Sequence, residues 1–439
     1  MKCRVPEWNW VRRGPAPFRW WFVPLVATAV SCGSEPPAGR TSIADDSSLR
    51  VLAAALLPEV ETLSGLAARR PLALGIRSRS ELESFLVAEI EDQLPPRRSR
   101  EVVRTYARLG LVPPDLELDQ LLRSLLLEQV VGYYDPSRDT LFVVEGLDPA
   151  LLEPVLAHEM VHALQDQYQD LDSLMAANQG QNDLATASQS ALEGHATLAM
   201  LEWQLARLTG GAVGLESLPS LAELPESALL EAVGLEMPAL ASAPRLIRES
   251  LLFPYLGGLE FVRARRSAAD GEPSAPLGVE MPVSTEQVLH PDRAFGVVRD
   301  IPVTVAFSAV PPAEWTVAHA DGLGELETRI WLQEFFEDRD RATSAAAGWD
   351  GDMYRLLDGP GGEVLIWASA WDTSEDADEF ARAARQVLKL RYAGDQSRST
   401  EVERRTVSGI PLVVVIDRPI ALDPAQIDSG VTVTVPVQR

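Results

Sequence analysis

The segment His158-Glu159-Met160-Val161-His162 constrains this chain more than any other. Residues four apart on an α-helix lie on one face, so both imidazoles can reach a single ion. Glu159 is offset by one position, close enough to work beside a metal without ligating it. Val155, Leu156 and Ala157 precede the segment, Ala163 and Leu164 follow it, and Glu159 is the only charge within the run. A helix of this character suits a metal shielded from bulk water. The H-E-x-x-H spacing therefore points to two zinc ligands plus the general base of a metallohydrolase. The chain holds five histidines in all, which makes two at this spacing around a glutamate hard to ascribe to chance.

A hydrolytic zinc needs a third protein ligand and an open position for water. Gln181 to Ala206 reads as a second long helix with a small, neutral interior. Its one carboxylate between Asp183 and Glu202 is Glu193. A carboxylate on an apolar helix is costly to bury unless it is paired or binds a metal, so Glu193 fits the vacancy. His195 is the competing ligand, since positions two apart cannot share a helix face. Gly194 between them is expected to let this helix pack closely on the first. Asp166, one turn beyond His162, reads as an outer-shell carboxylate or a surface cap.

The formal net charge is −25 over 439 residues. Lys2, Arg4, Arg12, Arg13 and Arg19 against Glu7 make the first 31 residues basic by four, which leaves −29 on the remainder. That surface repels nucleic acid, and no basic patch offsets it. An arginine-bearing start, an apolar stretch from Trp20 to Val30 and small residues before Cys32 form the pattern of an export signal, too short to span a bilayer. Ala29-Val30-Ser31-Cys32 resembles the lipobox of bacterial lipoproteins, departing from it at Ala29, where a larger aliphatic is usual. The resemblance implies lipidation at Cys32 and attachment to the cell envelope by that anchor alone. The alternative is a secreted soluble protein cleaved nearby. Cys3 lies in the leader, so a mature chain has at most one cysteine and no internal disulfide.

Residues 32–48, rich in Gly, Ser, Pro and Asp, read as a flexible tether. From 49 to 128 the text is helical, with Leu49, Leu52, Leu56 and Val60 at helical spacing, then Leu82, Phe85, Leu86 and Ile90. This region reads as a cap or prodomain-like layer. Val130 to Val144 reads as a β-hairpin turning at Asp135–Asp139. The helix bearing the histidines starts at Asp148-Pro149 or at Pro154. Gly210 to Pro244 reads as an insertion or lid, and Leu246 to Arg265 as a helix walling the cleft. Beyond residue 301, helices are expected over Gly324–Ala347 and Ser374–Tyr392 and strands over Glu363–Trp371 and Thr406–Ile416. Trp349, Trp367 and Trp371 are expected in that region's core.

H-E-x-x-H followed by a glutamate on a downstream helix resembles the gluzincin-type zinc metallopeptidases of the zincin superfamily. Gly132-Tyr133-Tyr134-Asp135-Pro136, the run from His158 to Gln167, Glu193-Gly194, Phe253-Pro254-Tyr255 and the run from Ser284 to Pro291 are similar to a group of exported bacterial zinc metallopeptidases of unknown substrate. The metzincin pattern is excluded, because positions 165 and 168 hold Gln and Tyr. The resemblance implies an α+β protein. Its mainly helical zincin-like core spans 129–300 with a short hairpin or edge sheet, while the mixed helix and strand patterns beyond it are read as an α+β accessory domain over 301–439. It implies one zinc per chain on His158, His162 and Glu193, with Glu159 as base and a peptide or protein substrate laid along the hairpin edge. By the same analogy His290 or Tyr255 donates a hydrogen bond to the oxyanion; the alternative for His290 is that it pins a loop. Gluzincins often carry a carboxylate one turn past the third ligand, where this chain has Thr197. The competing expectation is a non-catalytic envelope lipoprotein whose zinc is closed by a fourth ligand, His195 or His290.

Overall fold

The computed structural model describes residues 46–436, except 148, 212–213, 216–219, 221–236, 309–310, 312–313 and 424–429. The leader, Cys32 and most of the expected tether and lid lie outside the described residues. The last of the tether does not: Asp46–Ser48 already belong to the first helix.

The chain is α+β. Its first half runs α1 (Asp46–Ser64), β1 (Ala73–Arg77), α2 (Arg79–Gln93), α3 (Pro96–Leu109), α4 (Leu118–Gln129), β2 (Gly132–Asp135), β3 (Thr140–Val144), α5 (Pro149–Tyr168), α6 (Leu171–Ala177) and α7 (Asn182–Thr209). Then come α8 (Pro238–Ser242), α9 (Arg245–Ala268), α10 (Thr285–Leu289) and α11 (Pro291–Phe295). The last part holds β4 (Thr304–Phe307), β5 (Thr316–Asp321), α12 (Gly324–Phe335), α13 (Arg339–Ala346), β6 (Trp349–Gly359), β7 (Gly362–Trp371), α14 (Ser374–Arg391), β8 (Arg398–Val407), β9 (Ile410–Pro419) and β10 (Val431–Thr434). No described helix is long and apolar enough to cross a membrane.

Local chemistry explains the boundaries. Ser78 and Glu81 form a capping box that opens α2, and Thr373 with Asp376 does the same for α14. Pro96 occupies the first turn of α3, where its missing N–H costs nothing. Helix α5 starts at Pro149 and runs through Pro154. The hairpin β2–β3 forms as expected, turning where Asp139 adopts φ 47. It gains a parallel partner, β1, giving the order β1-β3-β2. Gly75 on β1 leaves room for the Phe142 ring, which a Cβ there would meet at 2.7 Å.

The apolar spacing of α1 buries Leu49, Leu56 and Val60 against α5 and α7. Helices α2 to α4 face elsewhere. Their leucines join one continuous core with α7, α9 and the C-terminal sheet. Trp331 on α12 donates to the Leu109 carbonyl at 3.1 Å, and Arg391 on α14 donates to the Arg108 carbonyl at 2.9 Å. The N-terminal helices therefore tie the two ends of the chain together rather than forming one layer over the cleft.

The C-terminal sheet is antiparallel in the order β5-β6-β7-β9-β8. Strand β7 is buried on both faces. Val364, Ile366, Ala368 and Ala370 meet the β4–β10 ribbon, while Leu365, Trp367 and Trp371 meet the helices. Phe380 on α14 stacks 4.5 Å from Trp371 and lies edge-on 5.3 Å from Trp367. Two expected elements are corrected here. The single helix over 324–347 breaks at Phe336–Asp338, and the strand over 406–416 straddles the turn at Ser408-Gly409, both residues at positive φ.

Candidate metal centre

Helices α5 and α7 cross with the ligand stripes facing each other. His158, Glu159 and His162 come from α5 and Glu193 from α7, and each is at most 1 % exposed. The Nε2 atoms of the two histidines lie 3.1 Å apart. Glu193 Oε2 is 3.1 Å from His158 Nε2 and 3.4 Å from His162 Nε2. The expected triad is thus brought together, and Glu159 flanks it.

These three spacings test the site against an ion. Tetrahedral coordination at the Zn–N and Zn–O distances of about 2.0–2.1 Å separates neighbouring ligand atoms by about 3.3 Å. The observed triangle matches that edge length. Among the described residues, both Glu159 oxygens, Glu193 Oε1 and His158 Nδ1 lack a well-formed hydrogen-bond partner. Buried polar atoms are rarely left so. Two imidazoles and a carboxylate form a donor set suited to zinc.

Electrostatics follow from burial. Burial pushes Glu159 up to about 8, with the Tyr134 amide on β2 pulling weakly the other way. Burial would also raise Glu193, but the His162 and His158 imidazoles hold it below the usual carboxylate range. Burial lowers His158. His162 is raised in spite of burial, because Glu193 and Glu159 favour its charged form.

The remaining expectations divide. Tyr255 on α9 reaches the site, its ring 6.4 Å from that of His158. His290 is held elsewhere, Nε2 lying 2.8 Å from Glu325 Oε1 on α12. His195 is turned away from the cluster. Its Nε2 lies 2.9 Å from the Ser64 carbonyl oxygen and its Nδ1 3.0 Å from Gln165 Nε2. Asp166 caps α6 through the Leu171 N–H at 2.9 Å and meets the Tyr134 hydroxyl at 2.8 Å. Gly194 does pack closely, but on α9 rather than α5: a Cβ there would lie 2.0 Å from the Gly258 carbonyl carbon. Thr197 Oγ1, one turn past Glu193, is buried without a hydrogen-bond partner among the described residues.

Gln165 was absent from the expected site. Its Oε1 lies 2.8 Å from His162 Nδ1, and its spacing of three from His162 was the available signal. A second carboxylate group, Glu286, Asp300 and Asp372, is compact enough for a cation. Arg293 already sits among them, 2.5 Å from Asp372 and 3.4 Å from Glu286.

Residues 315–435 match a family described as a domain of unknown function (DUF8575). The match covers the C-terminal sheet and its helices and leaves the cluster between α5 and α7 outside it. No curated protein matches the chain, and no solved structure does.

Proposed function

We propose that this chain is an exported zinc-dependent metallopeptidase of the gluzincin type. The observation that carries the reading is the convergence of His158, His162 and Glu193 at 3.1–3.4 Å with Glu159 buried beside them. His158, His162 and Glu193 would hold one zinc ion, and zinc when bound makes water acidic near neutral pH. Glu159 takes the proton from that water onto its carboxylate and returns it to the leaving amine. Tyr255, beside His158, is the proposed donor to the developing oxyanion. His290 has its Nε2 committed to Glu325 and drops out of that role.

Strand β2 is the outer strand of its sheet and packs beside α5, which suits pairing with an extended peptide. The donors are sealed from solvent in this conformation, so substrate entry requires the elements over the cluster to part. Export rests on the leader and on Cys32, the proposed lipid anchor.

The structural-zinc reading needs a fourth protein ligand. Among the described residues His195 and His290 are both engaged elsewhere, which favours the hydrolytic reading.

The test uses the purified zinc-loaded chain on a peptide library, with and without chelator. Glu159→Gln is expected to keep zinc and lower turnover about 10²–10⁴-fold, whereas His158→Ala loses both. Unchanged turnover in metal-replete Glu159→Gln would overturn the mechanism.

A further inference from the structure

The hydrogen bonds behind His162 admit a single arrangement of protons. The Leu192 carbonyl can only accept, and Gln165 Nε2 lies 3.0 Å from it. The amide nitrogen therefore faces that carbonyl, and Oε1 faces His162 Nδ1 at 2.8 Å. An amide oxygen also only accepts, so His162 Nδ1 carries a hydrogen. The far end is fixed in the same way. The Ser64 carbonyl accepts from His195 Nε2 at 2.9 Å, and His195 Nδ1 accepts the second Gln165 N–H at 3.0 Å.

Both termini of this network are main-chain carbonyls, so flipping the Gln165 amide would set oxygen against oxygen. A neutral imidazole carries one N–H. With that hydrogen on Nδ1, the neutral form of His162 turns a bare Nε2 lone pair toward His158 Nε2 and Glu193 Oε2, 3.1 and 3.4 Å away. The Ser64 carbonyl is itself held in place. Gly65 follows at φ 68, and a Cβ there would lie 2.3 Å from the Pro273 carbonyl oxygen.

We infer that Gln165 and His195 are positioning residues that lock His162 in its Nδ1–H tautomer, with the end of α1 as the outer anchor. Helix α1 is then part of the metal centre rather than a removable prodomain. The inference rests on the metallopeptidase reading for its purpose, while the tautomer itself is measurable without metal.

The first experiment is ¹⁵N NMR of the metal-free full chain, labelled at histidine, in alkaline buffer. The His162 signals are identified by their loss in His162→Gln. A proton on Nδ1 is expected; a proton on Nε2 overturns the relay. The second measures zinc affinity by chelator competition. Gln165→Met keeps the length of the side chain and removes its polarity, and it is expected to bind zinc 10–100-fold more weakly with a mixed His162 tautomer. His195→Phe is expected to act in the same direction. Wild-type affinity and tautomer in Gln165→Met would overturn the relay even if His195→Phe does not fold. A wild-type chain that takes up no zinc yet protonates Nδ1 ends the peptidase reading and leaves the relay standing. Zinc uptake alongside an Nε2–H His162 does the reverse.

Discussion

Two buried carboxylates, Glu193 between α5 and α7 and Asp352 on β6, sit in surroundings of opposite character. Asp352 accepts four hydrogen bonds. Leu323 N and Gly324 N at the start of α12 approach at 2.8 and 3.0 Å, and the indoles of Trp367 and Trp349 at 2.8 and 3.1 Å. Each of its oxygens takes two donors, so its charge is spent on holding a helix start to a sheet. Glu193 has one oxygen within reach of two imidazoles and the other without a hydrogen-bond partner among the described residues. A fully satisfied buried charge serves architecture. One left half-satisfied costs stability, and a site that binds something is where such a cost is tolerated.

Substituting each carboxylate separates the two roles. Glu193→Ala is expected to lower zinc affinity by more than about 100-fold, beyond the range for an outer-shell partner. It should lower the metal-free melting temperature less than the loss of a carboxylate with four donors would, because only one of its oxygens holds partners. Chelator competition and calorimetry on the same sample read both effects. A large drop in metal-free stability would make Glu193 architectural and erase the contrast.

Asp352→Ala should behave in the opposite sense. It strands two indole N–H groups and two helix-start N–H groups in the core, at a cost of about 3–5 kcal/mol. Denaturant unfolding should register that loss, while zinc affinity of the folded fraction stays at the wild-type value. Weakened zinc binding in folded Asp352→Ala would mean that the sheet and the metal helices are mechanically coupled.

The same contrast explains what the sequence revealed. The α5 ligands were legible because helical period and residue type coincide at His158, Glu159 and His162. Glu193 was legible as a lone carboxylate in a neutral helix. Gln165 was not, since an uncharged amide attracts attention only once its three partners are in place. Gly194 was read correctly as a contact and assigned to the wrong helix, because a glycine in sequence does not name what approaches it. The C-terminal strand β7 was visible as a run buried on both faces. The edge strand of the same sheet, β8 (Arg398–Val407), escaped because a strand rich in Arg and Glu lacks an apolar period. Strand β1 escaped too, having Gly75 where its partner's aromatic ring needs room.

Asp183 sharpens the comparison most finely, because it joins the two halves. It lies half-buried in the first turn of α7, accepts the Thr285 N–H on α10 at 3.0 Å, and faces Gly324 at the start of α12 so closely that a Cβ there would lie 1.9 Å from Oδ1. Burial pushes its pKa up to about 7, against the Thr285 hydrogen bonds and with help from Asp352 and Glu325. The unfolded chain gives up this proton near pH 4, as an ordinary aspartate does (about 3.9). A carboxyl raised on folding leaves stability intact below that unfolded value and erodes it as pH climbs through the folded one. The expected loss between about pH 4 and 7 is at most about 4 kcal/mol. Asp183→Asn keeps the acceptor for Thr285 and does not titrate. Denaturant midpoints of the two proteins should therefore agree, apart from a constant offset, at about pH 4 and diverge in favour of Asn as pH rises to about 8. The other buried acids, Asp321 and Glu327 among them, titrate in both proteins and cancel in the difference. Parallel pH profiles would mean that Asp183 is ionised in the folded chain throughout, making it a second satisfied carboxylate of the Asp352 kind.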